Sequence, residues 1–154
     1  DQRSALNAMH SITLRFLASH KDGDHVAGKI SGGTVLRWVD EAGFACATRW
    51  AKGLCMTALV SGARFDRPIL VGDLVEVQAR LAYTGTSSMG IAVEVYSGSI
   101  PGGELRQVLH CATVYVAVDE HDRPRPVDAW TPETPGDMAL AERVRAHVNA
   151  VRTA

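Results

Sequence analysis

Between Ser31 and Gly53 the chain carries one long run that is apolar or small almost all the way round. No proline interrupts it, because the first proline of the sequence is Pro68. Within the run Val35, Val39, Gly43, Cys46 and Trp50 step by 4, 4, 3 and 4 residues, close to the 3.6-residue period of an α-helix. The spacing predicts a helix from Thr34 to about Ala51, opened by the pair Gly32-Gly33. Its expected end is Lys52-Gly53, where glycine supplies a left-handed stop and lysine suits the negative helix end. Ala42, Ala45, Cys46 and Ala47 leave little polar surface, so the helix is expected to be covered on most sides. Yet Asp40 and Glu41 stand in its middle. A carboxylate on a buried helix is costly unless it is paired, exposed or used.

The rest of the chain reads mainly as strands. Ile12–Leu17 alternates as a first strand, after mixed residues 1–11 that suit a turn or short helix. Residues 19–29 are polar, contain Gly23 and Gly28, and read as a loop that delivers Asp22, Asp24 and His25 to the helix start. Met56–Phe65 alternates Thr57, Leu59, Ser61 and Ala63 against Met56, Ala58, Val60 and Gly62. Leu74–Tyr83 places Val75, Val77, Ala79, Leu81 and Tyr83 on one face. A strand beginning at Met89 and a longer one over Arg106–Val118 follow. The last is apolar on both faces, as a strand covered on both sides must be. Its His110 is expected to be a hydrogen-bonded core residue. Asp119–Pro135 holds four prolines, cannot continue a sheet interior, and reads as an arm. Asp137–Arg152 is a weaker amphipathic helix with Leu140, Val144, Val148 and Val151 on one side.

One helix followed by a run of antiparallel strands suggests a sheet wrapped around that helix, an α+β fold. The two-sided strands imply a further partner, so self-association is expected. The 154 residues suffice for one domain, and 46% hydrophobic content excludes disorder. A net charge of −1 gives no basic excess for nucleic acid or an anionic membrane. No signal peptide and no membrane-spanning run is seen. Cys46, Cys55 and Cys111 form no metal-binding or redox pair; three cysteines in apolar runs suggest reduced thiols and a cytoplasmic setting.

Several pieces in order carry a resemblance: His25-Val26-Ala27-Gly28, Gly32-Gly33, Val39-Asp40-Glu41-Ala42-Gly43, Phe65-Asp66-Arg67-Pro68, Val71-Gly72-Asp73, and Tyr83-Thr84-Gly85-Thr86-Ser87-Ser88. The set resembles the hotdog-fold acyl-CoA thioesterases, in particular the group with brain acyl-CoA hydrolase and the bacterial YciA enzymes. It spans about residues 10–122, so residues 1–122 are expected to form the hotdog domain. Residues 123–154 would be a proline-rich arm and C-terminal helix on or near it. The resemblance implies a five-stranded antiparallel sheet around the central helix, dimers that join two sheets, and hexamers as trimers of dimers. It implies hydrolysis of fatty acyl-CoA to free acid and CoA with no metal and no organic cofactor. It also implies a site across the dimer interface, built from an acid on the helix and a polar residue, often Asn, in the preceding loop. The acid matches Asp40. The loop position matches His25, a departure from Asn.

A thioester carbonyl needs a nucleophile and donors for its developing oxyanion. The first turn of a helix offers free N–H groups and a positive dipole end. Gly32 and Gly33 would let a carbonyl approach, and the Gly33 N–H or a neighbour would polarise it. The competing reading is a glycine pair needed only for close packing. Asp40 lies about 10 Å from the helix start, at 1.5 Å per residue, so a partner's helix start would have to face it. It would act as general base on water or as nucleophile, or merely pair with Arg37. Glu41, rotated about 100° on the helix, is expected in solvent or with a basic partner. His25 would position water, donate to the carbonyl or act as base. Arg67 would pair with a CoA phosphate, and Gly85, Thr86, Ser87 and Ser88 would meet phosphate or pantetheine through N–H and hydroxyl groups. No serine-triad spacing is seen, and Cys46 has no activating base nearby in sequence. Two rival readings remain on the same fold: a hydratase or dehydratase using His25 with Asp40, and a non-catalytic acyl-CoA sensor.

Overall fold

The central helix is α1, Gly32–Ala51, and the computed structural model arranges the other elements around it. Residues 9–19 and 25–153 are described, with the side chains of His25, Val26 and Thr153 left out. Most of residues 1–11, and Asp22 and Asp24, lie outside the described residues. Helix α1 begins two residues earlier than its periodicity suggests. Ser31, extended at φ −66° and ψ 150°, caps it by accepting the Thr34 N–H. At the other end it is Lys52, not Gly53, that turns left-handed, at φ 56°. Gly53 serves a different need: a Cβ there would lie 3.4 Å from Cζ of Arg125, whose guanidinium donates to the terminal Ala51 carbonyl at 2.8 Å.

Five strands form the sheet: β1 (Ser11–Leu17), β4 (Cys55–Ser61), β5 (Leu74–Thr84), β6 (Ser88–Gly98) and β7 (Arg106–Ala117). They are antiparallel in the order β1-β5-β6-β7-β4. Inside the expected loop lies a small hairpin, β2 (His25–Val26) with β3 (Lys29–Ile30). Ala27 and Gly28, at φ 53° and 76°, make its turn. Two positive φ values match the right-handed twist of a two-residue hairpin. Strand β4 stops at Ser61 rather than Phe65 because Gly62 turns away at φ 75°.

The inner sheet face packs Val75, Val77, Leu81, Ile91 and Val93 on Val35, Val39 and Cys46 of α1, all at or near complete burial. Each such side chain stabilises the fold by about 1.5–3 kcal/mol. A second helix, α2 (Pro135–Thr153), covers the outer face. Its Leu140, Val144 and Val148 pack on Ala82, Tyr83, Ala92, Ala112 and Val114. Val151, expected on the same side of the helix, is exposed instead. The two-sided apolar strands are thus explained by the chain's own C-terminal helix rather than by a second copy.

Two bulges override the alternation of the sequence. One falls between Leu81 and Tyr83, and it sends Tyr83 to the outer cluster instead of the face of Val75. There the Tyr83 ring lies 4.2 Å beneath Arg145 of α2. The other, between Thr57 and Leu59, sends Leu59 to the outer cluster while Thr57 turns to α1. An extra residue in one strand reverses the face of all that follows.

Candidate active site

Asp40 is half-buried on α1 and is held from two strands. Thr57 of β4 donates its hydroxyl to Oδ1 at 2.9 Å, and Tyr115 of β7 donates to the same oxygen at 3.0 Å. The Tyr115 hydroxyl also lies 3.2 Å from the Asp40 main-chain carbonyl. The convergence follows from register: Thr57 and Tyr115 are direct cross-strand partners, so their side chains share a face. Tyr115 is fully buried. Burial first, and then the charge of Asp40, raise its phenol far above its ordinary value. It therefore stays a neutral donor. Glu41, by contrast, faces solvent and pairs with Arg37 at 3.9 Å.

Thr57 and Tyr115 are the residues that sequence reasoning passed over. In the sequence Thr57 is one of four alternating positions, and Tyr115 is part of an apolar strand. The available signal was the phenol itself, since a buried tyrosine hydroxyl needs a partner. A second signal was Gly43, one turn beyond Asp40, whose Cβ would collide with the Tyr115 ring at 2.9 Å from Cζ.

The helix start is open. The Ser31 hydroxyl accepts the Thr34 N–H at 3.3 Å and lies 3.0 Å from the Thr34 hydroxyl, and the N–H groups of Gly32 and Gly33 point out of the first turn without helical partners. Gly33 has nothing within 4 Å of where a Cβ would sit, and Gly32 meets only the Phe65 ring at 3.4 Å. Packing therefore does not demand glycine at 33. Arg67 is exposed and lies with Lys29, Gly32 and Phe65 around a surface cleft of about 350 Å³. A second cleft runs from Arg67 to Ser99 and Arg106. The His25 backbone pairs with Ile30, two residues before Gly32; its side chain lies outside the described residues.

The structure brings Gly32, Gly33 and Arg67 to one end of α1, with the His25 backbone beside them. Gly85, Thr86, Ser87 and Ser88 lie at the other end. Val127 donates to the Thr86 carbonyl at 2.9 Å, and the next residue, Asp128, accepts the indole N–H of Trp50 in the last helical turn at 2.8 Å. Twenty helical residues span about 30 Å, so one chain does not place this turn beside its own Gly33. Ala117 donates to the Ser87 carbonyl, whereas the Thr86 and Ser87 N–H groups have no hydrogen bond among the described residues. Exposed Phe44 differs from Trp38 and Met89, which are core residues. His110 is exposed on β7 rather than part of the core.

All three cysteines are buried and free. Burial pushes the Cys46 and Cys111 thiols up to about 12, which leaves them protonated and poor nucleophiles. Among the described residues no three His, Cys, Asp or Glu side chains cluster to hold a metal, and no helix is long and apolar enough to cross a membrane.

Residues 27–103 match the thioesterase superfamily. The acyl-CoA thioester hydrolase YciA of Salmonella typhimurium is 35% identical over 119 residues, covering 75% of this chain and 89% of its own. YciA of Escherichia coli is 35% identical over 117 residues, covering 74% and 88%. Among solved structures, an apo-hexameric acyl-CoA thioesterase superposes with TM-score 0.86 at 28% identity, covering 96% of this chain and 94% of the other. A hexameric thioesterase from Yersinia pestis gives 0.70 at 34% identity, covering 76% and 94%.

Proposed function

Because this chain belongs to the thioesterase superfamily and is by homology an acyl-CoA thioester hydrolase, we propose that Asp40 carries the hydrolysis of fatty acyl-CoA to free acid and CoA. The observation that carries this reading is the carboxylate itself: half-buried and anchored by two hydroxyls.

Asp40 acts as general base on a water, or attacks the thioester carbon directly, breaking the C–S bond and expelling CoA as its thiolate, to give an anhydride that water then opens, one of its protons going to the thiolate. On the first route the oxygen of water bonds to the carbonyl carbon as Asp40 takes its proton. The C–S bond then breaks with its electron pair leaving on sulfur, and the proton passes to the thiolate. The open N–H of Gly33, beside Gly32, receives the developing oxyanion. His25, set by the hairpin beside the helix start, orients the water or donates to the carbonyl.

Asp40 and Gly33 of one chain are about 10 Å apart along the axis, so the helix start that serves Asp40 comes from a second copy. Strand β4 suits that contact. It is an edge of the sheet, it carries Thr57 of the site, and Met56 and Val60 beside it are 51% and 42% exposed. Unpaired edges with apolar side chains invite strand pairing. Three such dimers would make the hexamer seen in relatives. Arg67 then takes a CoA phosphate, and the Gly85–Ser88 turn serves the CoA of a neighbouring copy through its free N–H groups. The buried free thiols suit a reducing cytoplasm.

Thiol release from an acyl-CoA chain-length series, with native protein and Asp40→Asn, tests the reading. Loss of orders of magnitude in an assembled variant supports it. Unchanged activity returns Asp40 to a structural role and directs attention to Glu41 and His25. Hydration of crotonyl-CoA without thiol release would favour the hydratase, and tight acyl-CoA binding without turnover would favour the sensor.

A further inference from the structure

Resting on that reading of Asp40, we propose that Tyr115 is a positioning residue: with Thr57 it holds the carboxylate by Oδ1 and leaves Oδ2 as the oxygen that meets water or the thioester. Both hydroxyls donate to Oδ1, at 2.9 and 3.0 Å, and no described residue donates to Oδ2. Rotation of a carboxylate about its last torsion is soft, so an unheld Asp40 would swing both oxygens through the site. Two donors from two different strands remove that freedom.

The two donors are not equivalent. Thr57 is exposed on an edge strand. Tyr115 is fully buried on the strand between β6 and β4, and its one hydroxyl proton lies between Oδ1 and the Asp40 carbonyl, the latter at 3.2 Å. Its hydroxyl therefore fixes the carboxylate relative to the helix backbone. Gly43 provides the space, because any Cβ there would fall against the Tyr115 ring and hydroxyl. Tyr115 does not touch substrate and exchanges no proton in the reaction.

The experiment compares native protein, Tyr115→Phe, Asp40→Asn and the double variant by steady-state thiol release, using the full chain in its assembled form. Tyr115→Phe is expected to lower kcat about 10- to 100-fold, the cost of a misplaced reacting group, with KM within about twofold. In the Asp40→Asn background the same change is expected to cost less than about threefold, because no reacting anion is left to position. An equal loss in both backgrounds marks Tyr115 as merely structural and overturns the proposal. Native kcat in Tyr115→Phe, with Asp40→Asn inactive, overturns it while sparing the reading of Asp40. An active Asp40→Asn overturns both. Gly43→Ala provides a second route if Tyr115→Phe fails to assemble: it displaces the hydroxyl without removing it. The same kcat-selective loss is expected, and full activity would overturn the proposal.

Discussion

Gly43 of α1 lies directly against the phenol of Tyr115: a Cβ on Gly43 would stand 2.9 Å from Tyr115 Cζ and nearer still to the hydroxyl. The contact sets how closely the helix approaches β7. Gly43→Ala should therefore destabilise the protein by about 1–3 kcal/mol, the usual cost of overpacking a core. Denaturant unfolding measures this. Placed in a Tyr115→Phe background the same substitution should cost less, because the nearest colliding atom is gone.

Gly33 differs in kind. Nothing lies within 4 Å of its missing Cβ, so Gly33→Ala should leave stability unchanged or raise it by about 0.4–1 kcal/mol. If the Gly33 N–H receives the thioester oxyanion, the added methyl obstructs the carbonyl and kcat/KM should fall. Stability and activity moving in opposite directions would mark the position as functional. Activity that is fully retained would remove Gly33 from the site.

Met56 tests the open edge. It is 51% exposed on β4, and a lysine on an edge strand discourages pairing. Met56→Lys should shift the assembly toward monomer in sedimentation velocity, with thiol release falling in step. A fully active monomer would show that one chain holds the whole site.

Arg67 is exposed beside the cleft at the helix start. Arg67→Ala should raise KM for acyl-CoA about tenfold, the loss of one charge-assisted contact, and leave kcat near its native value. The effect should shrink at high salt. A fall in kcat with unchanged KM would argue against phosphate binding.

Stability at low pH should depend on Glu76, whose carboxyl is held below its ordinary 4.5 chiefly by the hydrogen bond from Arg15. That bond is 2.6 Å long, and Gln78 adds a second donor at 2.9 Å. A depressed folded-state value gives stability that is fully present above 4.5 and is lost as pH falls through the lower folded value. Relative to Glu76→Gln, native protein should thus be the more stable at neutral pH. The difference should close below pH 4.5 in thermal unfolding.

Periodicity revealed those parts of the fold that depend on neighbours along the chain. The 3.6-residue spacing from Val35 to Trp50 located α1, because one apolar stripe must face one core. Alternation located four strands of the sheet, and a run apolar on both faces located the fifth, β7. Alternation failed at Thr57–Leu59 and Leu81–Tyr83, where bulges reverse the faces, and the helix-stop expectation failed at Gly53, where Lys52 makes the left-handed turn and Arg125 claims the space. Such features depend on a partner strand or a distant side chain, so no local window contains them. The apolar outer face was also legible, but not its cover, since α2 is far away in sequence.

The candidate site divides in the same way. The sequence by itself determined that a carboxylate stands in the middle of an apolar helix, behind a glycine-opened first turn. It also pointed to the thioesterases through the order of its motifs. Only the tertiary structure decided what holds that carboxylate. Thr57 lies 17 residues from Asp40 and Tyr115 lies 75 away. They meet at one oxygen because an antiparallel register pairs them on the face turned to α1, before the bulge that sends Leu59 away. A register is chosen by the whole sheet packing against the helix, so a contact made through it becomes visible only once the chain is folded.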